Sequence, residues 1–287
     1  MSGKEYHSVA LISANYNNGT FLNEFIDSIL SSSVLPAQVI IVDDGSTDNS
    51  QEILSQYIDK KPFEIVLFKE NTGFANALNT AIGRVTSAFT LRADPDDLLH
   101  PLKIEKQLDF LLQNPDIAGV GCNVEYFHSE SRKMLHTSNF PLSPDGIRKA
   151  YQKGEHGLQH PAVMIRSEVL KQFCYHQSSV PAEDYELFAS LVKSGYKFQN
   201  LKEALYKMRI HPASSSSKIS FSTIRKTYSL RNEIFGRKAS LSRQLMYYLY
   251  IRNYRNYMLS ANPLRKYICL ITAIFFYPSK LMKRFKR

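Results

Sequence analysis

From Ser8 to Phe127 the chain repeats one pattern: a short apolar run, a turn, then a stretch with helical spacing. SVALISA (8–14) reads as a buried strand and Phe21 to Leu30 as an amphipathic helix. QVIIV (38–42) is a second strand, closed by the turn residues DDGS. Thr47 is placed to cap the next helix, with Ser50, Gln51 and Glu52 in its first turns. FEIVLF (63–68), a helix from Gly73 to Gly83 and SAFTLRA (87–93) continue the series. A helix with Pro101 in its first turn then runs to about Gln113, and IAGVGCNVEYF (117–127) is strand-like. This alternation predicts an α/β fold with a mostly parallel, doubly wound sheet. Such sheets bind ligands beyond the carboxyl ends of their strands. The acidic turns after the second and fourth strands lie at those ends.

Beyond residue 128 the alternation loosens, continuing to about Arg209. SSSS (214–217) is the candidate boundary, and the rest reads helical. The expected division is a catalytic domain over 1–217 and a basic helical segment over 218–287. The first would hold a donor-binding half to about 127 and an acceptor half from about 128. Charge supports the division. Residues 1–217 carry 20 Lys/Arg and 25 Asp/Glu, whereas 218–287 carry 16 Lys/Arg and one acid, Glu233. A net −5 body beside a net +15 segment suggests an anionic partner for the latter. Three dispersed cysteines, Cys122, Cys174 and Cys269, form no CxxC pair. Neither a disulfide framework nor a thiolate zinc site is expected. The opening MSGKEYHS has no apolar h-region, so no secretory signal is expected, and the composition fits a reducing cytoplasm.

LRADPDD places Asp94, Asp96 and Asp97 within four positions of a strand end. Three carboxylates are costly to crowd together without a positive partner. Hard oxygen ligands suit Mg²⁺ or Mn²⁺, which bind one or two carboxylates plus diphosphate oxygens. The competing reading is an Asp-rich turn that complements the N-terminus of the helix at Pro101.

The order of several segments decides between them. SANYNN (13–18), IIVDDGSTDNS (40–50), NTGFANALNTAIGRV (71–85) and LRADPDDLLHPLKIEKQ (91–107) resemble family 2 glycosyltransferases with a GT-A fold. LQHPAVMIRSEVL (158–170), PAEDYELFASLVKSG (181–195) and LYKMRIHPASSS (205–216) extend the resemblance, which covers roughly residues 8–216. It implies a GT-A mixed sheet flanked by helices, with a C-terminal helical extension. It also implies a nucleotide-diphosphate sugar as donor, UDP favoured, and Mn²⁺ or Mg²⁺. The acceptor would be a glycan or lipid-linked saccharide of a bacterial surface polysaccharide, such as lipopolysaccharide or capsule.

The resemblance also assigns residues. Tyr16 would pack on the base, and Asp44 with Asp43 would bond base or ribose; an Asx-type turn holding DDGS competes, for Asp43 especially. Asp94 and Asp96 match the DxD pair. Asp96 is the direct metal ligand by its spacing to Pro101, Asp94 serves metal or ribose, and Asp97 caps or orients. Pro95 departs from the small residue usual between the aspartates; it fixes φ and removes an amide donor, which would stiffen the loop. His211, after a loosely matching Tyr206–Ile210, would reach metal or diphosphate, and Arg209 could hold phosphate as a positive fork. Asn79 matches a recurring Asn, and His160 could line the acceptor pocket.

Transfer to a hydroxyl needs a group that removes its proton. The pair Glu183-Asp184 opens a helix patterned by Leu187, Leu191 and Val192. Read alone, it is acidic charge complementing a helix dipole. By resemblance Asp184 is the base of an inverting transfer.

RQLMYYLYIRNYRNYMLSANPLRKYICLITAIFFYPSKLMKRFKR (243–287) mixes bases, tyrosines and aliphatics. Its apolar run from Tyr267 to Tyr277 is too short to span a bilayer. It reads as an interfacial element on an anionic membrane, peripheral at the inner face, or as a helix docked on the body. Nucleic acid is not expected. The one GxG, Gly119-Val120-Gly121, lies inside a strand and is followed by Val124, so no dinucleotide fingerprint exists. SANYNNGTF lacks the basic residues of a nucleotidyltransferase loop. Intact Asp94, Asp96 and Asp184 argue against a non-catalytic scaffold.

Overall fold

The structure, a computed structural model, describes residues 8–211, 220–260 and 262–278. The expected boundary at 214–217 and the basic end at 280–287 lie outside them. The chain divides into two units, Met1–Arg209 and Ile210–Arg287.

The first unit opens with β1 (Val9–Asn15), α1 (Gly19–Leu30), β2 (Gln38–Asp43), α2 (Ser50–Ser55), β3 (Phe63–Leu67), α3 (Phe74–Arg84) and β4 (Phe89–Arg92). It continues with β5 (Leu98–Leu99), α4 (Lys103–Gln113), β6 (Ile117–His128), β7 (Met134–Thr137) and α5 (Pro144–Lys153). It closes with β8 (Met164–Arg166), α6 (Ser167–Leu170), α7 (Glu183–Lys193) and β9 (Lys197–Ile210). One sheet runs β3-β2-β1-β4-β8-β6-β9-β5, with β7 beside β6. The pairs among β3, β2, β1 and β4 are parallel. Those joining β4 to β8, β8 to β6 and β5 to β9 are antiparallel. The expected mostly parallel sheet is therefore parallel in its first half only. The later half of the chain inserts β8 against β4 and β9 beyond β6, so the two halves share one sheet.

All seven residues of β1 and the last five of β2 are buried, as strands covered on both faces require. Leu22, Phe25, Ile26 and Ile29 give α1 its buried stripe against this sheet. Gly119 and Gly121 serve packing. A Cβ at the first would strike Phe198 and the Met164 carbonyl, and at the second the Asn200 side chain.

Two helix starts differ from expectation. α2 begins at Ser50 without Thr47, whose exposed N–H donates to Asn17 Oδ1 at 2.8 Å. The capping carboxylate belongs to Asp48. It accepts from the N–H groups of Ser50 and Gly19, both at 2.9 Å, and so serves the first turns of α2 and α1 together. α4 begins at Lys103, two residues past Pro101, which lies outside the helix.

The second unit holds α8 (Phe221–Phe235), α9 (Leu241–Leu259) and α10 (Pro263–Phe276). Ser220, Ser240 and Asn262 cap them by accepting from Thr223, Arg243 and Arg265 N–H. Ile224, Tyr228, Tyr247, Tyr250 and Ala273 form its buried cluster. Among the described residues no helix is long and apolar enough to cross a membrane.

Candidate active site

The direction of strand order reverses between β2-β1 and β1-β4, and a crevice opens at such a switch point beyond the carboxyl ends. Residues 15–18, 43–48 and 93–97 lie at that end of the sheet because each follows a parallel strand. The 15–18 and 43–48 turns are tied together. Asn15 Nδ2 donates to Asp43 Oδ2 at 2.7 Å, and Asn17, with φ of 56°, accepts from the Thr47 and Asp48 amides. Asparagine tolerates that left-handed conformation better than most residues.

Asp43 is buried, and its carboxylate also accepts from Ser46 N–H (2.9 Å), Ser46 Oγ (2.6 Å) and Gln51 Nε2 (2.8 Å). It is the brace of the DDGS turn, the Asx-type alternative, and not a group turned toward a ligand. Gly45 has φ of 70°, and a Cβ there would strike the Glu70 backbone. Asp44 accepts from Thr72 N–H at 2.7 Å, Thr72 Oγ1 at 2.9 Å and Gly73 N–H at 2.9 Å, fixing the entry to α3. Tyr16 stands 47% exposed at the end of β1, an aromatic face open to a flat partner.

Asp94 to Asp97 form a β-turn closed by Asp97 N–H to the Asp94 carbonyl at 3.2 Å. Pro95 occupies its second position, where a fixed φ favours the turn and no amide donor is needed. The proline is thus accommodated by the turn itself. Arg92, two residues back on β4, holds Asp94 through both guanidinium arms, one at 2.9 Å. Tyr206 Oη accepts from Asp94 N–H at 2.9 Å. Asp97 is 2% exposed, and its Oδ1 accepts from Arg209 N–H at 2.7 Å. One carboxylate oxygen each from Asp94, Asp96 and Asp97 lie within 4.8 Å of one another. Burial lifts the Asp94 carboxyl to about 6 against the pull of Arg92, with the charges of Asp96 and Asp184 adding to the rise. Burial, then the charges of Asp96 and Asp94, pushes Asp97 well above its ordinary value.

A divalent cation fits this donor set. It would relieve carboxylates that now repel one another, and the oxygens are hard ligands at a strand end. Of the three, Asp94 is paired with Arg92 and Asp97 accepts from Arg209 N–H inside the protein.

Arg209 requires a correction as a phosphate ligand. Its guanidinium is buried behind the acidic turn. Nε donates to the Asp96 carbonyl at 2.7 Å and Nη2 to Glu24 Oε2 at 2.6 Å. Phe21 and Phe127 rings cover it at 4.8 Å each. It positions the loop and has no fork to offer a diphosphate. His211 follows β9 and falls in the second unit.

Glu183 and Asp184 open α7, as expected. Asp184 Oδ2 lies 3.5 Å from His156 Nδ1, a neighbour the spacing of the sequence does not reveal. Burial, then the charge of Asp184, raises Glu183 to about 7. His160 is buried, its Nε2 2.6 Å from Tyr175 Oη, and burial holds its pKa well below the usual value. Its ring is thus engaged with Tyr175 inside the unit, beside Thr90 and Arg92. Asn79 exchanges two bonds with the Tyr175 backbone, at 2.8 and 2.9 Å, tying α3 to the loop before α7. Lys103, fully buried, donates to the Ala162 carbonyl at 3.0 Å and lies 5.7 Å from the Tyr206 ring; burial lowers it to about 8. Arg92 and Tyr206 lie inside the motifs without a role assigned by them, and His156 lies outside them. For Arg92 a signal existed, since residues two apart on a strand share a face.

A mixed sheet with its crevice at this switch point and an acidic turn after the fourth strand is the GT-A glycosyltransferase architecture. S. aureus TarS 1–349 in complex with UDP-GlcNAc superposes with a TM-score of 0.62 over 94% of this chain and 89% of that one, at 16% identity. The mannosyltransferase PcManGT of Pyrobaculum calidifontis, in complex with GDP-Man and Mn²⁺, gives 0.56 over 92% and 73%, at 19% identity. The chain belongs to glycosyl transferase family 2, whose profile matches residues 10–174. EpsE of Bacillus subtilis (strain 168), named as a glycosyltransferase, is 31% identical over 85% of this chain and 86% of its own length. The amylovoran biosynthesis glycosyltransferase AmsE of Erwinia amylovora is 25% identical over 66% and 70%.

Proposed function

We propose that this glycosyltransferase moves a sugar from a nucleotide-diphosphate donor, a UDP-sugar foremost, to a hydroxyl of a glycan or lipid-linked saccharide, with inversion at the anomeric carbon. One observation carries the reading. Asp94, Asp96 and Asp97 bring carboxylate oxygens within 4.8 Å of one another just past the carboxyl end of β4, and the charge of Asp184, at the start of α7, contributes there too, after burial and the nearer Asp96. A leaving group and an acceptor base must be neighbours in this way.

Tyr16 stacks on the base, and Asp44, whose carboxylate holds the Thr72–Gly73 entry to α3, bonds base or ribose from the end of β2. Asp43 serves only through the turn it holds. Asp96 and Asp94 would hold Mn²⁺ or Mg²⁺. The bound cation supplies neutralisation of the leaving diphosphate. Asp184 accepts the acceptor's proton as the acceptor oxygen bonds to C1 and the C1–O bond to the phosphate breaks. His156 steadies the Asp184 carboxylate. The complexes of the two solved structures, with UDP-GlcNAc and with GDP-Man and Mn²⁺, support such a donor and such a metal. AmsE, an amylovoran biosynthesis glycosyltransferase, supports a role in polysaccharide synthesis. The enzyme works at the inner face of the cell membrane, held by the basic segment 218–287.

The test is a panel of nucleotide sugars assayed for metal-dependent nucleotide-diphosphate release and transfer to glycan acceptors. Wild type should release UDP from at least one donor with Mn²⁺ or Mg²⁺, and Asp96→Ala should not. Neither release nor heat protection by any nucleotide would sink the reading.

A further inference from the structure

α10 carries apolar side chains that its own unit leaves uncovered. Leu264, Tyr267, Ile268, Ile271 and Phe275 are 70%, 65%, 55%, 50% and 78% exposed. Their spacing of three, four, seven and eleven residues from Leu264 puts them within about 100° of helix circumference. Cys269 and Ala273, on the other side, are buried, and Leu270, Ile274 and Phe276 pack on the unit's tyrosine cluster. The helix therefore has two apolar faces, one covered and one bare. Soluble proteins seldom leave such a continuous stripe bare.

Charge selects the occupant. Arg265 and Lys266 are the charged residues of α10, both exposed, and residues 218–287 hold 16 bases against Glu233 alone. A second copy docking on this face would set net +15 against net +15. A nucleic acid would match the charge but leave five apolar side chains in contact with water or phosphate. An anionic lipid leaflet matches both features: headgroups take the bases and the acyl boundary takes the stripe. Fourteen residues make about 21 Å of helix, less than the ~30 Å hydrocarbon core. The helix can lie in the interface and cannot span it.

We infer that α10 is a monotopic membrane anchor, entering an anionic leaflet through Leu264, Tyr267, Ile268, Ile271 and Phe275. This deepens the membrane reading given above, naming insertion, and not charge alone, as what holds the enzyme; it does not depend on the donor. One consequence separates the two modes. Attraction through surface charge fades when salt shortens the Debye length to about 3 Å near 1 M, whereas an inserted apolar face stays put.

The experiment floats full-length protein with vesicles of phosphatidylglycerol and phosphatidylcholine, and of phosphatidylcholine alone, at low salt and at about 1 M. The variants are Ile268→Glu with Phe275→Glu, and a charge-matched control, Leu35→Glu with Met134→Glu. The control positions are 55% and 58% exposed in the first unit. Wild type and control should float with anionic vesicles and stay largely bound at high salt. The α10 variant should bind at least tenfold more weakly, with heat protection by UDP the same in all three. An α10 variant that floats like wild type would leave charge as the anchor and overturn the insertion. Wild type that ignores both vesicle types would overturn the membrane reading with it. Wild type that ignores vesicles but dimerises through the stripe, as light scattering would report, assigns the face to a second copy.

Discussion

Replacing Arg209 with leucine separates its two readings, loop brace and phosphate ligand. The side chain is 2% exposed and donates at 2.7 Å to the Asp96 carbonyl and at 2.6 Å to Glu24. A hydrogen bond from a charged donor contributes about 1.5–3 kcal/mol. The Glu24 arm is discounted, because Glu24 is 42% exposed and keeps its pairing with Arg132. Leucine retains contact with Phe21 and Phe127 but loses the cation–π attraction, roughly another 0.5–1 kcal/mol. The expected loss is about 2–4 kcal/mol, or some 4–16 °C in Tm for a unit of this size. Asp96 should move with its carbonyl, so the Mn²⁺ concentration needed for half-maximal nucleotide protection should rise. Arg209→Lys, which keeps the charge without the fork, should fall between. The assays are calorimetry and a Mn²⁺ titration of UDP protection. An unchanged Tm together with a tenfold loss of UDP affinity would refute the brace and restore the phosphate ligand.

Asp184→Asn should lower transfer by about 10²–10⁴-fold while leaving UDP protection intact; near-normal transfer would remove Asp184 as the base. Tyr16→Ala should weaken nucleotide binding about five- to tenfold, at ~1 kcal/mol of stacking, without moving Tm, because the ring is half exposed. Asp94 (about 6) and Glu183 (about 7) titrate above their ordinary values of 3.8 and 4.5. Folding therefore takes up protons in that window, and the metal-free protein should lose stability as pH rises from about 4 to 7. Mn²⁺ favours the ionised carboxylates, so its stabilising effect on Tm should grow from pH 5 to pH 7.5; equal shifts at both would contradict the site.

The strands of the first half were legible because each is an uninterrupted apolar run, and burial on both faces writes itself into composition. The ends of helices were less so. Thr47 has the right chemistry for a cap, but Asp48 reaches two helix starts at once, a solution that depends on α1 and α2 meeting in space. The aspartates of the acidic turn were visible as a local cluster. Their supports were not: Tyr206 and Arg209 come 112 residues after the groups they bond. Arg209 looked like a phosphate ligand because a free guanidinium is one; only the fold supplies Glu24 and the Asp96 carbonyl to occupy it. Asp43 and Asp44 look alike in sequence, yet one is enclosed by its own turn and the other faces the start of α3.

The dependence of the acidic turn on β9 has a bearing on biosynthesis. A ribosome delivers Asp94–Asp97 long before Leu205 to Arg209, whose hydroxyl, amide and guanidinium hold the turn in shape. A nascent chain can assemble β1 to β4 early, since those pairings are local to the first 92 residues. It acquires an ordered acidic turn only when the last strand of the sheet has emerged and been inserted. Half-made chains thus own β1 to β4 without the bonds that shape the acidic turn, and the geometry of that turn is completed as the closing event of translation of this unit.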